Sequence, residues 1–144
     1  MFVVVFEFEK LEVYAKGREF RKRIYKLAKL LPKEEFKLKV QMRDAARSLT
    51  NNIAEGHGRY TFKERSRFCR DARGSLQELL DDVNLCIDEG YAKVDHLDTL
   101  RSDALHVLKL INGYNAYLKK CETNQLKGKA VLAKLPKSHL TQLT

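Results

Sequence analysis

Leu97, Leu100, Ala104, Val107, Ile111, Tyr114 and Leu118 recur at intervals of three and four residues for six consecutive steps, and nothing else in the chain limits the fold so sharply. An apolar seam of that period lies along one face of an α-helix and needs a covering surface. The rest of the chain supplies three more seams. Val13, Gly17, Phe20, Ile24, Leu27 and Leu31 form one, from about Leu11, that should end near Pro32. Leu38, Met42, Ala45 with Ala46, Leu49 and Ile53 form the next, and Cys69, Ala72, Leu76, Leu79, Val83 and Cys86 the last. With short links between them, helices of about 20 to 30 residues bury four stripes most simply as an all-α, antiparallel up-down four-helix bundle. The 144 residues suit one such domain.

The links carry their own signals. Gly56 and Gly58 are predicted to close the second helix as positive-φ residues, within a polar hinge whose Asn52 and Glu55 serve as capping or inter-helix hydrogen-bonding groups. Thr61-Phe62-Lys63-Glu64 has the capping-box form and should start the third helix. Gly90 is placed to cap it in the left-handed region, and Asp95 resembles the N-cap of the fourth. The bundle is thus expected over residues 11–122, between two different ends. Residues 1–10 form an apolar arm in which Phe2, Val4, Phe6 and Phe8 alternate at strand period, packing either on a neighbouring subunit or on its own bundle. Residues 123–144 are rich in lysine, break periodicity at Gly128 and Pro136, and are expected to be a mobile basic tail.

Charge decides which partners suit this frame. The net charge is +9, but residues 10–73 hold 19 Lys and Arg against 8 Asp and Glu, whereas residues 74–122 hold 5 against 9. The basic character belongs to the first three helices and favours a polyanion. Arg18, Lys22, Lys26, Lys29 and Lys33 follow one another at helical spacing, as do Lys39, Arg43 and Arg47, and then Arg59, Lys63, Arg67 and Arg70, with Arg73 beyond. Cations at one-turn intervals can neutralise successive phosphates, while the plainer reading of each stripe is a solvated helix face. Among the last set Tyr60 is placed to stack on an unpaired base.

Other chemistries find little support. Three cysteines without a C-x-x-C pair suggest neither a disulfide framework nor a zinc site, and read as packing residues of a cytoplasmic protein. The early apolar run lacks a basic n-region and falls well short of the roughly 20 residues of a membrane span, so no membrane partner is expected. No glycine-rich phosphate loop or H-E-x-x-H helix is present, and neither metal nor cofactor is expected. His57, between two glycines, reads as a solvated hinge residue. Arg101 and His106 form one R-x4-H pair similar to the motif of the all-helical HEPN ribonucleases, in which arginine and histidine act on the scissile phosphodiester. With 11 arginines and 4 histidines, about one arginine lying roughly five to seven places before a histidine arises by chance, and Ser102 stands where that family often has a polar amide.

Several blocks in order carry a broader resemblance: Phe8-Glu9-Lys10-Leu11-Glu12-Val13-Tyr14, Leu31-Pro32-Lys33-Glu34-Glu35, Gln41-Met42-Arg43-Asp44-Ala45-Ala46-Arg47-Ser48, Asn52-Ile53-Ala54-Glu55-Gly56-His57-Gly58-Arg59 and Ala72-Arg73-Gly74-Ser75-Leu76-Gln77-Glu78-Leu79. Together they resemble the four-helix bundle proteins encoded in ribosomal RNA intervening sequences, related to the accessory variability determinant of diversity-generating retroelements. Tyr14 stands where that family usually has tryptophan, and Thr50 where proline is common. The resemblance implies a homopentameric ring without known catalysis, partnering a reverse transcriptase and its RNA or DNA in the retroelement branch. Small residues such as Ala45, Ala46, Gly74 and Ser75 would allow close helix approach within or between subunits.

The expected protein is therefore a cytoplasmic, non-enzymatic oligomer that binds RNA or DNA through basic faces of its first three helices. Arg18, Lys22, Arg43, Arg47, Arg59, Tyr60, Lys63, Arg67, Arg70 and Arg73 would make the contacts, in a protein accessory to a reverse transcriptase. A protein-interaction scaffold is the alternative.

Overall fold

In a computed structural model, which describes residues 3–135, the four seams become four helices: α1 (Glu12–Leu30), α2 (Phe36–His57), α3 (Phe62–Asp88) and α4 (Val94–Ala133). Short 3₁₀ turns, Glu7–Lys10 and Lys33–Glu35, lead into α1 and α2. Leu31 leaves the first helix in extended backbone, as a residue before proline must. Side chains that meet across each pair of neighbours fix the topology. Gly56 lies against Phe68, Ser48 against Ser75 and Glu35 against Tyr91, so α2 and α3 run antiparallel. Ser66 meets Asn115 and Cys69 meets Ile111 between α3 and α4, while Arg23 pairs with Asp103 between α1 and α4. Each helix thus packs on its two neighbours, as an up-down bundle requires.

Phe20, Ile24, Leu27, Met42, Leu49, Leu76, Leu79, Leu97 and Leu100 are fully buried in one continuous core. Each contributes about 2 kcal/mol through burial. The fourth seam holds except near its end, where Tyr114 is half-buried and its neighbour Asn115 is buried instead. Ser66 Oγ donates to Asn115 Oδ1 at 2.6 Å, which makes that polar position affordable.

Links behave as predicted in part. Glu64 N donates to Thr61 Oγ1 at 3.2 Å, and the Thr61 hydroxyl meets the Glu64 carboxylate at 3.0 Å. Gly90 has φ of 68°, with Tyr91 N bonded to Cys86 O and Gly90 N to Ile87 O, which is the Schellman closure. Asp95 is not an N-cap: α4 starts one residue earlier, behind Lys93, and Asp95 sits in its first turn, where a carboxylate favours the positive helix end. Gly56 and Gly58 do not supply positive φ. The helix continues through Gly56, and Gly58 follows it at φ −77°. Gly56 is there for space, since a β-carbon on it would lie 2.6 Å from Phe68 Cβ. Gly74, expected to admit a close neighbour, faces open space.

The ends also differ from expectation. The strand-like alternation stops at the 3₁₀ turn, which sets Phe8 edge-to-face on Tyr14 at 4.9 Å. Val3 to Phe6 have no regular structure and stay exposed rather than covering the bundle, while Phe2 lies outside the described residues. At the other end α4 does not break at Gly128 but runs on to Ala133. Pro136 and the rest of the tail lie outside the described residues.

Two buried glycines make a matched test of packing. Gly56→Ala should destabilise by about 1 to 2 kcal/mol, because overpacking against Phe68 exceeds the gain in helix propensity. Gly17→Ala, whose new methyl would sit 3.6 Å from Thr50 and Ile53, should be neutral or stabilising by up to about 1 kcal/mol. Urea titration of both variants checks the contrast, and equal effects would contradict it.

Candidate nucleic-acid interface

Between α2 and α3 the chain turns at Gly58 to Thr61 and gathers the arginine-rich start of α3 at one end of the bundle. Many of those arginines are occupied. Arg59 Nη2 bonds Glu55 Oε1 at 2.7 Å while its guanidinium lies 4.9 Å from the Phe68 ring centre, and its Nε is buried without a partner. Arg67 stacks on the same ring at 5.0 Å, and Arg65 Nε donates to Arg59 O at 2.6 Å. Further along, Arg70 donates to Ser66 Oγ and Arg73 to Asn112 Oδ1. Asn52 Nδ2 bonds Ser48, whose Oγ also takes the Ser75 hydroxyl, so the hinge amide belongs to an inter-helix chain. The hinge residues Asn52, Glu55 and Gly56 therefore hold the turn in shape. What the turn presents outward is Tyr60, 98% exposed, with Lys63 and the exposed side of Arg67.

A second cationic face lies between α1 and α2, and the stripes drawn on single helices had missed half of it. Because these helices are antiparallel, Arg43 comes 4.8 Å from the Tyr25 ring centre, and Arg21 Nη1 donates to Thr50 Oγ1 at 2.7 Å. Arg47 lies between the two, lining the clefts on either side. Among the described residues Arg21, Arg43 and Arg47 form no ion pair, whereas Lys10, Lys22, Arg23 and Arg59 each have a carboxylate. Arg18 and Lys22 are exposed on the outer side of α1. Tyr14, Arg21 and Tyr25 were absent from the predicted contacts. Their i, i+7, i+11 spacing on α1 was legible, but their cross-helix partners were not.

The remaining groups read differently. Arg101 and His106 are both exposed on α4, but five residues on a helix separate them by about 140° of arc. His106 instead borders a small cleft with Glu19 and Asp103. Burial pushes the Cys69 and Cys86 thiols up to about 11, which leaves them protonated packing residues. No group of three or more His, Cys, Asp or Glu among the described residues could hold a metal ion, and no helix of theirs is long and apolar enough to cross a membrane.

Fold and surface together define a small, basic, four-helix bundle. The family of 23S rRNA-intervening sequence proteins matches residues 9–113, and the chain belongs to that family. Its fold is similar to the crystal structure of a protein of unknown function from the S23 ribosomal protein family of Bacteroides thetaiotaomicron, with a TM-score of 0.67 and 23% identity over 72% of this chain and 95% of that one. No curated protein matches the chain.

The half of α3 beyond the arginines is its electrostatic opposite, with four carboxylates and no cation from Gly74 to Asp88. There Asp82 is pushed up to about 6, by burial first and then by Glu78 and Asp81, and its Oδ2 has no hydrogen-bond partner. Between the ordinary aspartate value and about 6 the folded chain holds a proton that the unfolded chain has released, so Asp82 weakens the fold as pH rises through that window. Asp82→Asn should therefore stabilise the protein near neutral pH by about 1 kcal/mol, discounted for solvent screening, and hardly at all near ~pH 4. Thermal unfolding across pH reads this directly, and an equal gain at both ends would point to a cause other than ionisation.

Proposed function

We propose that this bundle binds nucleic acid, RNA foremost, along its α1–α2 face and the adjoining α2–α3 turn. The carrying observation is that Arg21, Arg43 and Arg47 have no carboxylate partner among the described residues and alternate with Tyr14 and Tyr25 across two helices. Cations left unpaired at one-turn spacing suit a run of phosphates, and aromatic rings between them suit unpaired bases. The family's name refers to sequences intervening in 23S rRNA, which makes RNA the first strand to test. No reverse transcriptase is needed for this reading. Exposed Val3 to Phe6 support an oligomer in which the arm packs on a neighbouring subunit.

Fluorescence anisotropy with short single-stranded and duplex RNA and DNA, titrated with salt, tests the binding. Affinity should fall steeply with salt, and Arg43→Gln with Arg47→Gln should reduce the log–log slope by about 1.4 for a single strand, two contacts at about 0.7 each. Absence of binding at low salt would overturn the proposal. The protein is read as non-catalytic, so incubated RNA should stay intact; metal-independent cleavage abolished by His106→Ala would show otherwise.

A further inference from the structure

One cleft on the α1–α2 face differs from the others. It has a volume of about 260 Å³, the liquid share of roughly nine waters, and its walls include Phe8, Tyr14, Arg21, Arg47, Thr50 and Asn51. Two arginines reach it and no carboxylate does. Four other clefts each include an acid: Glu12 beside Leu110, Asp44 beside Arg43, Glu19 with Asp103 beside His106, and Glu19 again beside Lys22.

We propose that this cleft is a nucleotide subsite, with the base of one unpaired nucleotide against Tyr14 and its phosphate on Arg21 and Arg47. The inference rests on the nucleic-acid reading above and assigns it a specific seat. A bare phosphate would have no use for the aromatic wall, and an apolar ligand none for the arginines. The wall is set by structure already described: the 3₁₀ turn holds Phe8 edge-to-face on Tyr14, so the ring that would stack is braced. Arg21 is braced as well. Its Nη1 donates to Thr50 Oγ1 at 2.7 Å, and the Thr50 hydroxyl lies 3.3 Å from Arg47 O, to which it donates. That uses one guanidinium donor and leaves the others for phosphate oxygens. Arg47 is exposed and free to close on the same anion, while the Asn51 amide offers both a donor and an acceptor to a base edge.

The chain contains no tryptophan, so Tyr14→Trp places a single fluorescent reporter in the cleft. Circular dichroism verifies its fold. Titration with a single-stranded oligoadenylate should quench that fluorescence saturably, whereas an abasic sugar-phosphate oligomer of equal length should not. In the parent chain Tyr14→Phe should keep the affinity for the oligoadenylate, and Tyr14→Ala should weaken it about tenfold. The exposed Arg47→Gln substitution should weaken quenching without disturbing the fold. If anisotropy shows the oligoadenylate bound while the reporter is silent, the subsite is overturned and the nucleic-acid reading stands. If it does not bind even at low salt, the strand reading falls. In that case quenching by adenosine monophosphate would keep the cleft as a site for free nucleotide, and its absence would remove the cleft as well.

Discussion

The approach of α2 to α3 at Gly56 governs the rest of this structure. Phe68 occupies the space that a β-carbon would need, so the two helices meet there in one register and not in its neighbours. That register carries Ser48 to Ser75 and Glu35 to Tyr91 further down the hairpin. It also puts the Phe68 ring beneath Arg59 and Arg67, turning two cations of the predicted interface into a clasp on the turn. Sequence, packing and surface charge are linked through this one contact.

Its consequence is a division of labour among the arginines. Around the turn, a cation over an aromatic ring and an exposed ion pair each stabilise by about 1 kcal/mol or less, yet several together hold a loop that has few apolar contacts of its own. On the α1–α2 face the arginines border open clefts instead. Cations one helical turn apart, at a typical separation of about 6 Å, repel by about 0.7 kcal/mol in water before salt screens them, and no carboxylate ion pair offsets it for Arg21, Arg43 or Arg47 among the described residues. Stability does not account for that arrangement. A bound polyanion relieves the repulsion, and because Arg21 and Arg47 line one cleft that no carboxylate lines, the proposed interface centres there rather than on the denser arginine run of α3.

Most of the fold was legible because a buried stripe leaves its period in the sequence whatever covers it. The seam residues from Val13 to Ile111 are buried as predicted. Failures occurred where a residue's role depends on a neighbour distant along the chain. Gly56 looks like a helix stop until Phe68 is seen opposite it, and Asn115 looks like a surface residue until Ser66 is seen to satisfy it from 49 residues away. Gly128 misled for another reason: a glycine costs a helix only about 1 kcal/mol, which surrounding helix formers can outweigh. The candidate site was half legible for the same cause. Arg43 and Arg47 stand out on their own helix, but Arg21 and Tyr14 acquire a role only through Thr50 and Phe8.

Charge along α3 adds direction to the proposed binding. The helix passes from arginines at its start to four carboxylates with no cation among them, so a polyanion following the turn is attracted at one end and repelled at the other. The Ser66–Asn115 bond fixes where α4 leaves the bundle relative to that gradient. Because α4 runs antiparallel to α3 and continues to Ala133, its final turns, with Lys119, Lys120, Lys127 and Lys129, project past the positive end and not the acidic one. The cleft between α1 and α2 lies toward that same end, lined by Tyr14 near the start of α1 and Ala54 near the close of α2. A strand seated in the cleft would therefore leave it toward lysines and Tyr60, and the acidic half of α3 would keep it from continuing the other way.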